Sequence, residues 1–235
     1  MTTRPCFLYG IIFEMKRWVY ATVFITGLST LGAEMAASRL LGNYFGTSNL
    51  VWASIIGLIM IYLAAGYFLG GRWADRSPKF ETLYRILAWA GLSVGLVPLL
   101  SRPVLRLAAD AFDQLSIGVL AGSFTGVLIL FIIPISLLGT ASPFAIRLLV
   151  DNPQTAGSES GRIYAISTLG SFFGTFLPVL VLTPLVGTYR TFLVFAGLLV
   201  LTALAGLAKT AGWKQALAHS WMAVVLLLLA IFGTP

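Results

Sequence analysis

The chain has 235 residues, of which 58% are hydrophobic and only 10% charged, and its formal net charge is +7; its mean hydropathy is +0.94. Soluble domains average nearer about 25% charged residues, so this composition excludes an ordinary water-soluble domain and points to an all-α polytopic membrane protein. Lys and Arg stand singly between apolar runs rather than clustered on a stripe, which excludes a nucleic-acid surface despite the positive charge. Cys6 and His219 are the only residues of their types, so the chain offers no internal disulfide, no C-x-x-C and no histidine metal cluster. No metal site and no cofactor are expected.

In chain order, residues 6–13 (CFLYGIIF) form an apolar stretch too short to span a bilayer. With Glu14, Lys16 and Arg17 following, residues 1–17 read as a segment at the inner interface, and 18–235 as the transmembrane domain. Seven blocks free of Asp, Glu, Lys and Arg then follow: 18–33, 40–71, 86–101, 114–146, 163–189, 191–208 and 215–235. Each houses one helix, at 18–41, 49–70, 82–100, 117–138, 162–185, 191–208 and 215–232. The runs lack the alternation of a membrane barrel and are about twice the length of its strands.

With the N-terminus in the cytoplasm, the inner side holds Arg4, Lys16, Arg17, Arg72, Arg76, Lys79, Arg147, Arg162, Lys209 and Lys214, whereas the outer side holds Arg102, Arg106 and Arg190. Short cytoplasmic loops retain Lys and Arg, so this imbalance sets the orientation and, with seven helices, places Pro235 outside. Residues 102–115 (RPVLRLAADAFDQL) read as an interfacial helix on the outer surface. Residues 151–161 (DNPQTAGSESG) read as a linker between helices one to four and five to seven. Ala33, Ala37, Arg39, Leu40 and Leu41 recur as Ala141, Ala145, Arg147, Leu148 and Leu149 at an offset of 108, a faint echo of the internal repeats found in transporter folds.

Glu34 stands inside helix one, about 10 Å of helical rise from Leu41. A carboxylate at such depth costs on the order of 3 kcal/mol to insert, so it faces protein or water, or carries a proton. Two readings stand: a proton or cation site, and a structural hydrogen bond to a neighbouring helix. Ser123 and Thr125 on helix four, with Thr183 on helix five, fall at similar depth and are candidate partners. Arg39 lies near the outer end, where it can snorkel to lipid phosphate or pair with Asp110 or Asp113. Five residues subtend about 140° on a helix, so Glu34 and Arg39 do not face each other.

The remaining polar features read as structural. Pro134 and Pro143 kink or end helix four. Gly170 and Gly174 form a G-x-x-x-G suited to close helix packing. Tyr164, Ser167, Thr168, Ser171 and Thr175 give helix five a polar, small-residue face. His219 reads as an interfacial or packing residue, and no nucleophile turn accompanies it, so no catalytic residues are assigned. Trp18, Trp52, Trp73, Trp213 and Trp221 sit near span ends, as aromatic belts do.

Residues 70–79 (GGRWADRSPK) join helices two and three. Gly71, Asp75, Arg76 and Lys79 resemble the signature between helices two and three of the major facilitator superfamily, which implies a cytoplasmic latch. Pro78 stands where that signature has a second glycine, and Phe80 where it has a base. A positive-inside loop whose Asp75 caps the start of helix three is the alternative.

A closer resemblance rests on residues 32–76, on LLGTASPFAIRLL (137–149) and on SGRIYAISTLGSFFGTFLPVLVLTPLVGTYRTF (160–192). These strings resemble the membrane domain of fused major-facilitator/spermidine-synthase-like proteins. The resemblance implies a bundle like half of a major-facilitator fold plus one helix, in a bacterial inner membrane. It also implies transport, with a polyamine or another small cation as the substrate class. The chain carries no G-x-G-x-x-G turn, so aminopropyl transfer is not expected of it. A half-sized bundle implies a homodimer or membrane-complex subunits to enclose a path. The competing expectation is a non-transporting scaffold that anchors a separate synthase-like protein.

Overall fold

A computed structural model describes residues 4–112, 118–150 and 152–233, with side chains from Glu14 onward. Every described element is helical: α1 (Arg4–Phe45), α2 (Asn49–Arg76), α3 (Phe80–Phe112), α4 (Gly118–Gly139), α5 (Ala141–Leu149), α6 (Ala156–Leu177), α7 (Thr183–Thr210), α8 (Trp213–His219) and α9 (Trp221–Phe232). A single 3₁₀ turn, Pro153–Thr155, precedes α6, and a π-turn, Pro178–Leu182, joins α6 to α7. Six stretches are long and apolar enough to cross a membrane: Glu14–Phe45, Asn49–Arg76, Phe80–Phe112, Gly118–Leu149, Pro153–Thr210 and Trp213–Phe232. Large apolar side chains such as Met60, Ile61, Phe68, Leu180 and Phe232 point outward, which is untenable against water at this density. The chain is a multi-pass membrane protein.

The stretch Pro153–Thr210 has 58 residues. A straight rod of that length would reach about 87 Å, against about 30 Å of hydrocarbon. It is instead broken at Gly187, whose φ of 81° and ψ of 165° lie outside the helical region. Its two halves take different neighbours: α6 packs along α1, and α7 packs along α3 and α1. α4 lies against α2 and α3, while α8 and α9 flank α7. Between α1, α2, α3, α4 and α7 lies the main core, with Leu41, Ile55, Ile59, Tyr84, Leu105, Phe131, Ile135 and Phe192 among its buried side chains.

Lipid supplies no hydrophobic drive between helices, so close packing must hold them. The α1–α6 contact shows how. Gly170 and Gly174 of α6 sit against the backbone of Phe24 and Leu28, and Gly27 of α1 sits against Ser167. A side chain at any of the three would collide with backbone. The G-x-x-x-G face is therefore consumed within the chain and offers no surface for another subunit. The α2–α4 contact repeats the device, with Gly66 against Ser136 and Gly139, and Gly70 against Thr140.

Several boundaries differ from the sequence expectation. α1 runs unbroken from Arg4, so most of the segment expected to stand apart at 1–17 is the start of the same rod. α3 continues through Pro98 and Pro103, absorbing the first part of the helix expected at 102–115, whose residues 113–115 lie outside the description. A proline removes one backbone bond and, where neighbouring helices and hydroxyls cover the gap, need not stop a rod in lipid. Residues 156–161, expected as linker, are the first turns of α6, with Glu159 favourably placed near its N-terminus. Asn152 caps the preceding turn by accepting the Gln154 amide. The break expected near Pro134 and Pro143 falls between them, at Thr140. The residues of the 108-residue echo lie in α1 and in α5 rather than in α4.

The α1–α6 packing predicts that Gly170→Leu costs about 1–3 kcal/mol, seen as a lower thermal-unfolding midpoint in detergent. Gly57, with open space around it, provides the control: Gly57→Ala gains about 0.5–1 kcal/mol by removing unfolded-state freedom.

Candidate functional site: a buried polar ladder ending at Glu34

Thr22, Thr26, Thr30 and Glu34 recur every four residues on α1, a spacing that keeps them on one slowly turning face. All four are buried, Glu34 at 8% relative exposure. Each threonine hydroxyl donates to the carbonyl four residues back, at 2.8 Å: Thr22 to Trp18, Thr26 to Thr22 and Thr30 to Thr26. This bond satisfies the hydroxyl's one proton in a medium without water and leaves its oxygen lone pairs free. The ladder climbs about 18 Å. At its lower end Thr22 lies 3.4 Å from the Tyr84 hydroxyl.

At its upper end Glu34 has no hydrogen bond and no ion pair with any described residue. Two further buried hydroxyls, Ser29 and Tyr62, also lack a hydrogen-bond partner among the described residues. Tyr62 belongs to the buried cluster that contains Ala33, Ala36 and Ala37 of α1. An unmet buried polar group costs about 1–3 kcal/mol, and Ser29 and Tyr62 are two such groups. The Thr-x₃-Thr-x₃-Thr-x₃-Glu spacing was readable in the sequence; the role of Tyr62 was hidden inside an apolar run.

The expected partners of Glu34 do not reach it. Ser123 is fully buried but bonds to Ser54 of α2 at 3.3 Å and to the Leu120 carbonyl. Ser54 is near the start of α2, whereas Glu34 lies eleven residues, about 16 Å, below the end of α1 at Phe45. Thr125 and Thr183 are half-buried and make no hydrogen bond among the described residues. Arg39 is exposed and lines a cleft of about 200 Å³ with Met35, Ser38, Trp52 and Val179. It pairs with neither Glu34 nor Asp110; Asp113 lies outside the described residues.

At the opposite end the charged residues tie helices together. Arg147 of α5 donates from Nε to Asp75 Oδ1 of α2 at 3.2 Å. Lys209 of α7 pairs with Glu14 of α1, and the Tyr20 hydroxyl of α1 donates to Glu159 of α6 at 2.7 Å. Arg85 pairs with Glu81 and also donates to Gln215 of α8. Asp75 does not cap α3, because α2 runs on to Arg76 and α3 begins at Phe80 with Glu81 in its first turn. Arg76 and Lys79 are exposed and unpaired among the described residues. Gly71 has open space, and the close helix approach falls at Gly66 and Gly70 instead.

No group of three His, Cys, Asp or Glu residues suited to a metal occurs among the described residues. His219 Nδ1 lies 3.0 Å from the Gln215 carbonyl of its own helix. Comparison of the chain with models of known protein families, with curated proteins and with solved structures finds no match.

The Asp75–Arg147 bridge is more than half exposed on the Asp75 side, so Asp75→Asn should lower stability by at most about 1 kcal/mol. The loss should shrink further in high salt, as measured by chemical denaturation at two ionic strengths.

Proposed function

We propose that the chain is a transporter-like membrane module in which Glu34 binds a proton or a small cation, with polyamines among the candidate substrates. In this reading Pro153–Thr210 counts as two crossings divided at Gly187. Seven spans then resemble half of a major-facilitator bundle plus one helix, and the N-terminus lies on the cytoplasmic side.

The observation that carries this reading is a buried carboxylate with no protein partner at the head of a column of buried hydroxyls. The threonine protons are committed to their own helix, so the column presents oxygen lone pairs to whatever approaches it. Such a lining attracts donors: a proton carrier, an ammonium group or water. The unpartnered Ser29 and Tyr62 hydroxyls add further sites for a transient occupant. Asp75 with Arg147, rather than Asp75 with Arg76 or Lys79, then provides the inner latch.

A second reading is favoured by the burial of Glu34, whose side chain does not line the adjoining cleft beside Arg39. On that reading the chain is a non-transporting scaffold for a synthase-like enzyme or a larger membrane complex. The exposed aromatic face of α6, where Phe172 meets Phe173 edge to face and packs against Phe176 at a tilt, would then meet a partner.

Reconstitution in proteoliposomes separates the two. Transport requires that the wild type take up spermidine or another small cation in response to a proton gradient. Glu34→Gln should abolish that uptake while its unfolding midpoint stays near that of the wild type. Wild-type vesicles without uptake, or full uptake by Glu34→Gln, would sink the transport reading; a synthase-like protein co-purifying in fixed ratio would establish the scaffold.

A further inference from the structure

A second polar site lies away from Glu34, where the C-terminal end of α1, the part of α3 beyond Pro98 and the part of α7 just past Gly187 enclose a cleft of about 480 Å³. Its polar lining comprises Asn43, Tyr44, Ser101, Arg102, Thr188 and Tyr189. Two of these hydroxyls are used within the protein: Ser101 donates to the Pro98 carbonyl at 2.8 Å, and Tyr189 donates to the Leu229 carbonyl at 3.2 Å. The other four side chains make no hydrogen bond and no ion pair with described residues. Among the described residues no acidic side chain lines the cleft.

We propose that this cleft holds one phosphate group, with the Arg102 guanidinium as its charge partner and Asn43, Tyr44 and Thr188 as hydrogen-bond donors. Guanidinium presents a planar fork of donors that matches phosphate oxygens two at a time. Arg102 is exposed and, among the described residues, pairs with no acid. Thr188 and Tyr189 follow the Gly187 break, in the first turn of a resumed helix, where backbone amides favour an anion. The volume exceeds what one carboxylate fills and suits a phosphate ester. A polyamine would meet only like charge here, so the site is distinct from the one built on Glu34 and does not depend on it.

Two sources supply this chemistry: a phospholipid headgroup from the surrounding leaflet, and a soluble phosphate. Native mass spectrometry of the full chain in detergent, titrated separately with short-chain phosphatidylglycerol and with inorganic phosphate, distinguishes them. One bound ligand per chain is expected, weakened about ten-fold or more by Arg102→Gln and measurably by Thr188→Val. Arg106→Gln and Arg190→Gln, which change charges outside the cleft, should leave it unchanged. Binding of phosphatidylglycerol alone assigns a lipid site; binding of inorganic phosphate assigns a soluble ligand. The proposal is overturned if the wild type binds neither, or if the Arg106 and Arg190 variants weaken binding as much as Arg102→Gln. It is overturned equally if Arg102→Gln and Thr188→Val, with wild-type unfolding midpoints, bind as the wild type does.

Discussion

A backbone in hydrocarbon must satisfy its own N–H and C=O groups, and that constraint accounts for most of what this chain does. It makes every described element helical and lets α3 run on through two prolines that would disrupt an exposed helix in water. It also sets the behaviour of the buried hydroxyls. Thr22, Thr26, Thr30, Thr191 and Thr202 each return their proton to the carbonyl one turn back. With polar needs met locally, the helices are left to associate through shape. Glycines at 27, 66, 70, 170 and 174 supply that shape by admitting backbone to backbone.

The same constraint explains which parts of the fold were legible. Charge-free blocks mark where hydrocarbon lies, and α4 agrees best, at Gly118–Gly139 against an expected 117–138, whereas α3 runs on to Phe112 past an expected end at 100. They could not mark where a helix ends, because helix can continue beyond the apolar layer at little cost. α1 and α6 both begin earlier than the charge pattern implied, for that reason. The role of Gly170 and Gly174 was legible because a G-x-x-x-G has one physical use, but its partner was not, since α1 lies more than a hundred residues away in sequence. The pairing of Asp75 with Arg147 was invisible for the same reason.

The polar interior was half legible. Glu34 announces itself as a carboxylate in an apolar run, and the threonines below it share its spacing. Ser123 was an attractive partner on depth alone. Depth counted along separate helices does not fix lateral position, and Ser123 turned out to face Ser54 of α2. Tyr62 could be recognised only once the helices were assembled, since a tyrosine near the middle of a span reads as bulk until its hydroxyl is found without a partner. The two ends of the bundle also differ in kind. One end neutralises several of its cations internally, while at the other no described acid lines the cleft beside Arg102.

The break at Gly187 gives one position in the chain an outsized hold over its topology. A φ of 81° with a ψ of 165° is a conformation that essentially only glycine adopts, and a β-carbon there costs on the order of 1–3 kcal/mol. Nothing crowds the site, so the penalty comes from the torsion angles alone and cannot be relieved by trimming a neighbour. Any other residue at 187 would carry that strain for as long as the corner is kept. The corner that sends α6 toward α1 and α7 toward α3 is thus eased by a hydrogen atom in place of a methyl group.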